Sequence, residues 1–106
     1  MSYRFMRMVL FFDLPTTTKE DLKRYRDYRK FLIKNGFLMM QESVYCKLST
    51  NGSQTQRIID RVRKNTPAQG LVQILMVTEK QFTKIETLVG ATDSLTIDST
   101  ERLVIL

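Results

Sequence analysis

The chain contains no histidine and no tryptophan, and has one cysteine, two prolines and four glycines among 106 residues. A single cysteine, Cys46, excludes a disulfide within the chain and suits a reducing compartment, so the cytoplasm is the expected location. Without histidine, one chain can build neither a His/Cys zinc site nor a Cys-His nucleophile pair, and no imidazole can serve as a general base. The apolar run Met8–Leu14 is too short to cross a bilayer and lacks the small-residue cleavage region of a signal peptide. Acid is the scarcer sign: 11 Asp and Glu stand against 17 Lys and Arg, a formal charge of +6. That balance points to a polyanion, nucleic acid above all, as the partner class.

What is present reads as one domain, residues 1–106, with a core over 1–78 and a short helix, loop and C-terminal strand over 79–106. A domain this small buries a modest share of its surface, so pairing with a second copy is an economical way to complete its core.

Residues 5–12 (FMRMVLFF) are nearly continuously apolar and β-compatible, the pattern of a buried strand, and Pro15 stops it. The threonines of TTTKE, followed by Glu20, predict a capping box and a helix reaching about Asn35, closed by Gly36. Residues 37–48 turn β-like again, with Val44, Cys46 and Leu48 on one face and Tyr45 and Lys47 on the other. No Gly or Pro marks a turn there, so either one bulged strand or a tight hairpin fits. A second helix is expected over about 54–64, a strand over 71–77, a short helix within TEKQFTKIETLVG and a final strand at RLVIL. The order predicts an α+β, ferredoxin-like β-α-β-β-α-β sandwich with an extra C-terminal strand, which pairs in its own sheet or adds to another subunit's.

Asp13 ends the most hydrophobic strand. It has two readings: a cap bonding the backbone amides of the Pro-Thr-Thr turn, or a ligand for a hard cation. Magnesium takes one or two carboxylates plus waters and phosphate, and one Asp is a meagre site. A twofold axis places the same residue opposite itself, so a symmetric homodimer would bring two copies of Asp13 to one ion. With no imidazole in the chain, water activation in a nuclease of this kind falls to the metal, with Asp13 holding metal or water.

Two basic stripes run at helical spacing. Lys19, Lys23, Arg26, Lys30 and Lys34 share one narrow face of the first helix, opposite Tyr25, Tyr28, Phe31 and Leu32. Arg57, Arg61 and Lys64 repeat the design opposite Ile58, Ile59 and Val62. Neither stripe contains an acid, which suits a phosphate backbone better than an ordinary mixed surface. Few aromatics remain for base stacking, which favours a duplex.

Phe11-Phe12-Asp13-Leu14-Pro15 after an apolar strand, Tyr28-Arg29-Lys30-Phe31-Leu32, Gly36-Phe37, Gln41-Glu42-Ser43-Val44-Tyr45 and Val77-Thr78-Glu79-Lys80-Gln81-Phe82 occur in that order along almost the whole chain. In this the sequence resembles the small CRISPR-associated Cas-two family, from systems with a single large effector nuclease. The resemblance implies a ferredoxin-like fold, a symmetric homodimer and a magnesium-dependent endonuclease (manganese as possible substitute) cutting double-stranded DNA or single-stranded RNA. It also implies a role beside the CRISPR integrase subunit in acquiring spacer DNA for antiviral defence, with a catalytically silent DNA-binding scaffold as the alternative. The family's strand-end Asp corresponds to Asp13, the expected catalytic residue and metal ligand from each subunit, with Phe12 and Ser43 as possible outer neighbours of the ion. Two departures stand out. Many relatives carry Tyr where this chain has Phe12, and a basic residue where it has Met39 and Met40; both remove polar groups from the presumed metal's surroundings and count against RNA cleavage.

Overall fold

Strand β1 (Met6–Asp13) runs through the interior of the sheet, as its apolar sequence requires. The computed structural model describes residues 5–90. Within them follow α1 (Lys19–Lys34), β2 (Leu38–Gln41), β3 (Val44–Ser49), α2 (Gly52–Lys64), β4 (Leu71–Thr78) and α3 (Glu79–Phe82). The strands lie in the order β2-β3-β1-β4 with every neighbouring pair antiparallel, the expected ferredoxin-like arrangement. The strand expected at RLVIL, 102–106, lies outside the described residues.

Helix α1 begins one residue later than the capping signal around Glu20 predicts. Thr18 is the N-cap, so the third helical position falls on Asp21, and the capping box closes as each of these side chains accepts the other residue's backbone N–H. Asp21 also accepts from Thr17 Oγ1 (3.0 Å) and Arg24 Nη2 (2.6 Å). Burial works against its charge, but these bonds outweigh it and hold the Asp21 carboxyl below the ordinary carboxylate value. At the far end Gly36, with φ +91°, lets the chain reverse into β2.

Residues 37–48 form a hairpin rather than one strand. Leu38 pairs with Cys46 and Met39 with Tyr45, and the next pair is Gln41 with Val44, so Met40 is the extra residue of a bulge. The bulge and the tight Glu42-Ser43 connection account for the lack of a Gly or Pro signal. The stretch TEKQFTKIETLVG yields one helical turn, α3, with Thr78 and Gln81 forming its capping box.

Both helices pack on one face of the sheet. Met8, Leu10 and Phe12 project to that side and join Tyr28 and Leu32 of α1, Val62 of α2, and Phe37 and Tyr45 in the core. Phe12 sits at the centre of an aromatic cluster, its ring 5.4 Å from Tyr28 and 5.7 Å from Tyr25 edge-on, and 5.9 Å from Tyr45 stacked. Such pairs each add about 1 kcal/mol beyond burial.

The other face has no helical layer among the described residues. Alternation sends Phe5, Arg7, Val9, Phe11 and Asp13 there, beside Leu38, Val44, Cys46 and Leu48 on one side and Leu71, Gln73, Leu75 and Val77 on the other. Leu38, Leu71 and Leu75 are each more than half exposed. Only α3 folds onto this face, at the end away from Asp13: Glu79 takes both Arg7 Nε (3.0 Å) and Nη2 (2.6 Å), and the Phe82 ring lies 4.5 Å from the guanidinium carbon.

Candidate functional site

Asp13 is the last residue of β1, paired with Leu71 at the first position of β4. Its carboxylate is exposed and makes no hydrogen bond or ion pair with another described residue. The capping alternative is therefore not realised: among the described residues no backbone amide of the Pro-Thr-Thr turn donates to Asp13, and the capping bonds at that turn go to Asp21. An exposed carboxylate on a rigid strand end, without a competing partner, is available to a hard cation.

Among the described residues no three Asp, Glu, Cys or His groups gather to hold a metal. Asp13 thus offers one carboxylate from the described residues of one chain, to which a magnesium-like ion would add waters, phosphate oxygens or a second carboxylate from another copy.

Ser43 stands next to this position, its carbonyl accepting the Phe12 N–H at 3.1 Å, so the β2–β3 turn is tied to the end of β1. Phe12 itself corrects an expectation. Its side chain is 5 % exposed and points into the aromatic core, on the opposite face from Asp13. Strand alternation makes this unavoidable, and a tyrosine there would carry its hydroxyl toward the helices. Met39 likewise points to the helix side, where its sulfur receives Arg29 Nη2 at 3.5 Å. Phe12 and Met39 thus both turn away from the face that carries Asp13.

The basic stripes are where their spacing predicts. Lys19, Lys23, Arg26, Lys30, Lys34, Arg57, Arg61 and Lys64 are all exposed on the outer surface of the helical layer. Lys23 pairs with Asp27 at 2.8 Å, and Arg61 Nη1 donates to Asn35 Oδ1 at 2.7 Å, which brings α2's stripe to the C-terminal end of α1's. The helices lie on one side of the sheet, while Asp13 of the same protomer belongs to the set that strand alternation sends to the other. Arg29, outside both stripes, is fixed by its bond to the buried Tyr45 hydroxyl (2.9 Å), an interaction that no local spacing signals.

Sequence reading missed the pairing of Arg7 with Glu79, 72 residues away, for the same reason. Cys46 lies under that arginine. Burial pushes its thiol above the ordinary value, and the guanidinium offsets this only in part.

The comparisons agree with this geometry. Residues 6–85 match the model of the family described as CRISPR associated protein Cas2. The chain is 46% identical over 101 residues to a CRISPR-associated endoribonuclease Cas2 of Treponema denticola, covering 95% of this chain and 100% of that protein. It is 48% identical over 101 residues to a protein of the same description from Streptococcus mutans, covering 95% and 93%. The crystal structure of Streptococcus pyogenes Cas2 at pH 6.5 superposes with a TM-score of 0.62 at 20% identity, covering 78% of this chain and 99% of that one, and so shares the fold. An antiparallel β2-β3-β1-β4 sheet with an acid closing β1, matched over most of the chain to these proteins, places the chain in the CRISPR-associated protein Cas2 family.

Proposed function

We propose that two copies of the chain pair through their open sheet faces and act as a metal-dependent phosphodiesterase centred on Asp13 from each subunit. One observation carries this reading: Asp13 stands at the rigid end of an interior strand, on the apolar sheet face, exposed and without a partner among the described residues. The names of the relatives, endoribonucleases, support RNA as a substrate. Each Asp13 would hold one side of a shared Mg²⁺ or Mn²⁺. When bound, such an ion supplies an acidified water and neutralises charge on a phosphate oxygen. The chain's own part is to orient the carboxylates, to keep the face between them apolar and dry, and to hold nucleic acid by its exposed lysines and arginines.

The separation of the stripes from Asp13 favours a second reading that coexists with the first. The outer surface of the helical layer grips a phosphate backbone while the opposite face joins subunits, which suits a DNA-holding role beside the integrase in spacer acquisition.

Asp13→Asn separates them. Cleavage of single-stranded RNA and of duplex DNA in Mg²⁺ should fall at least about a hundredfold, with melting unchanged because the carboxylate has no partner among the described residues to lose. Spacer acquisition in cells should persist if the scaffold role dominates. Cleavage equal to wild type would remove Asp13 from the chemistry.

A further inference from the structure

We infer that Gly70 is a positioning residue for the Asp13 carboxylate; this rests on the reading of Asp13 as the metal-holding group. Gly70 immediately precedes β4, whose first residue is paired with Asp13. Its φ is +98°, a conformation that L side chains rarely adopt. A methyl group there would stand 2.6 Å from the Asp13 carbonyl oxygen, 2.7 Å from Leu14 Cδ2 and 3.2 Å from Leu14 Cα. None of these atoms moves cheaply. Leu14 is locked into the core, Pro15 behind it has a fixed φ, and the Asp13 carbonyl is part of the strand end itself.

A side chain at position 70 therefore forces a shift at this contact; with the Asp13–Leu14 peptide as its nearest neighbour, the strand end is proposed to yield and carry the Asp13 carboxylate with it. An ion shared by two copies of Asp13 feels that displacement from both sides. Gly36 provides the contrast. Its φ of +91° is similar, but an added methyl group there meets only the tip of the flexible Lys47 side chain.

The test titrates Mn²⁺ alone into the full chain and into Asp13→Ala, Gly36→Ala and Gly70→Ala, following free ion by electron paramagnetic resonance, with thermal melts in parallel. Both glycine variants should melt earlier, as expected from their positive φ. Only Gly70→Ala should also weaken Mn²⁺ binding, by about tenfold or more, in the range seen when the outer support of a ligand is removed. Binding by Gly70→Ala equal to that of Gly36→Ala overturns the positioning role and leaves Asp13 as the ligand. Binding by Asp13→Ala equal to wild type overturns the metal reading and the role of Gly70 together. If Gly70→Ala does not fold, Gly70→Asn, which tolerates positive φ better, repeats the measurement. Failure of both to fold assigns the glycine to the fold as a whole and overturns the proposal.

Discussion

Asp13 and Asp21 lie eight positions apart and are treated in opposite ways by their surroundings. Asp21 accepts bonds from Thr17, Thr18 and Arg24 and anchors α1, whereas Asp13, at a strand end, has no partner among the described residues. The sequence made both acids visible but not their division of labour, because three consecutive threonines offer three possible caps and only packing selects Thr18. The depressed Asp21 carboxyl fixes the sign of a pH effect. A group whose folded value lies below its unfolded one contributes stability that is present above the unfolded value, 3.8, and is lost as pH falls through the folded value. Asp21→Asn should therefore lower the melting temperature at pH 7 and flatten its dependence on pH below about 4. A variant whose acid melting curve parallels that of wild type would contradict this account of Asp21.

At the scale of elements, periodicity made α1, α2 and their stripes legible because a lysine or arginine every three or four residues can share only one helical face. The hairpin was not legible as such, since its turn, Glu42-Ser43, lacks Gly or Pro and its register slips at Met40. Charge reversal of Lys19, Lys23, Arg26 and Lys30 to glutamate should weaken nucleic-acid binding alike across sequences. It should also reduce the slope of log affinity against log salt by about 1 for each phosphate that the stripe no longer neutralises. An unchanged slope in a filter-binding or anisotropy titration would move the nucleic acid to another face. Lys23 is the least informative of the four taken singly, because its ammonium already pairs with Asp27.

For the whole molecule the decisive feature is a sheet with two apolar faces and one helical layer among the described residues. The unbroken run Met8–Phe12 reads as a strand buried on both sides. The helices cover Met8, Leu10 and Phe12 and leave Val9 half-buried and Phe11 exposed. Sequence alone could not say which face the helices take, since Val9 and Phe11 on one face of β1 are as apolar as Leu10 and Phe12 on the other, and both alternating sets of β4 are largely apolar. In the proposed pairing, a second copy covering the open face would satisfy the pattern and bring Asp13 toward its counterpart. Leu75→Asp, at a half-exposed position opposite Val9, should leave the protomer folded but shift sedimentation from dimer to monomer, and metal-dependent cleavage should disappear with the dimer. A stable, active dimer of that variant would place the interface elsewhere.

The claim on which the rest depends is that two carboxylates from two chains share one ion. Its most direct measurement is the stoichiometry of Mn²⁺ bound by the wild-type protein at concentrations where it sediments as a single species. The account predicts one ion for every two chains, lost in Asp13→Asn. One ion per chain, or a site that survives that substitution, would contradict it.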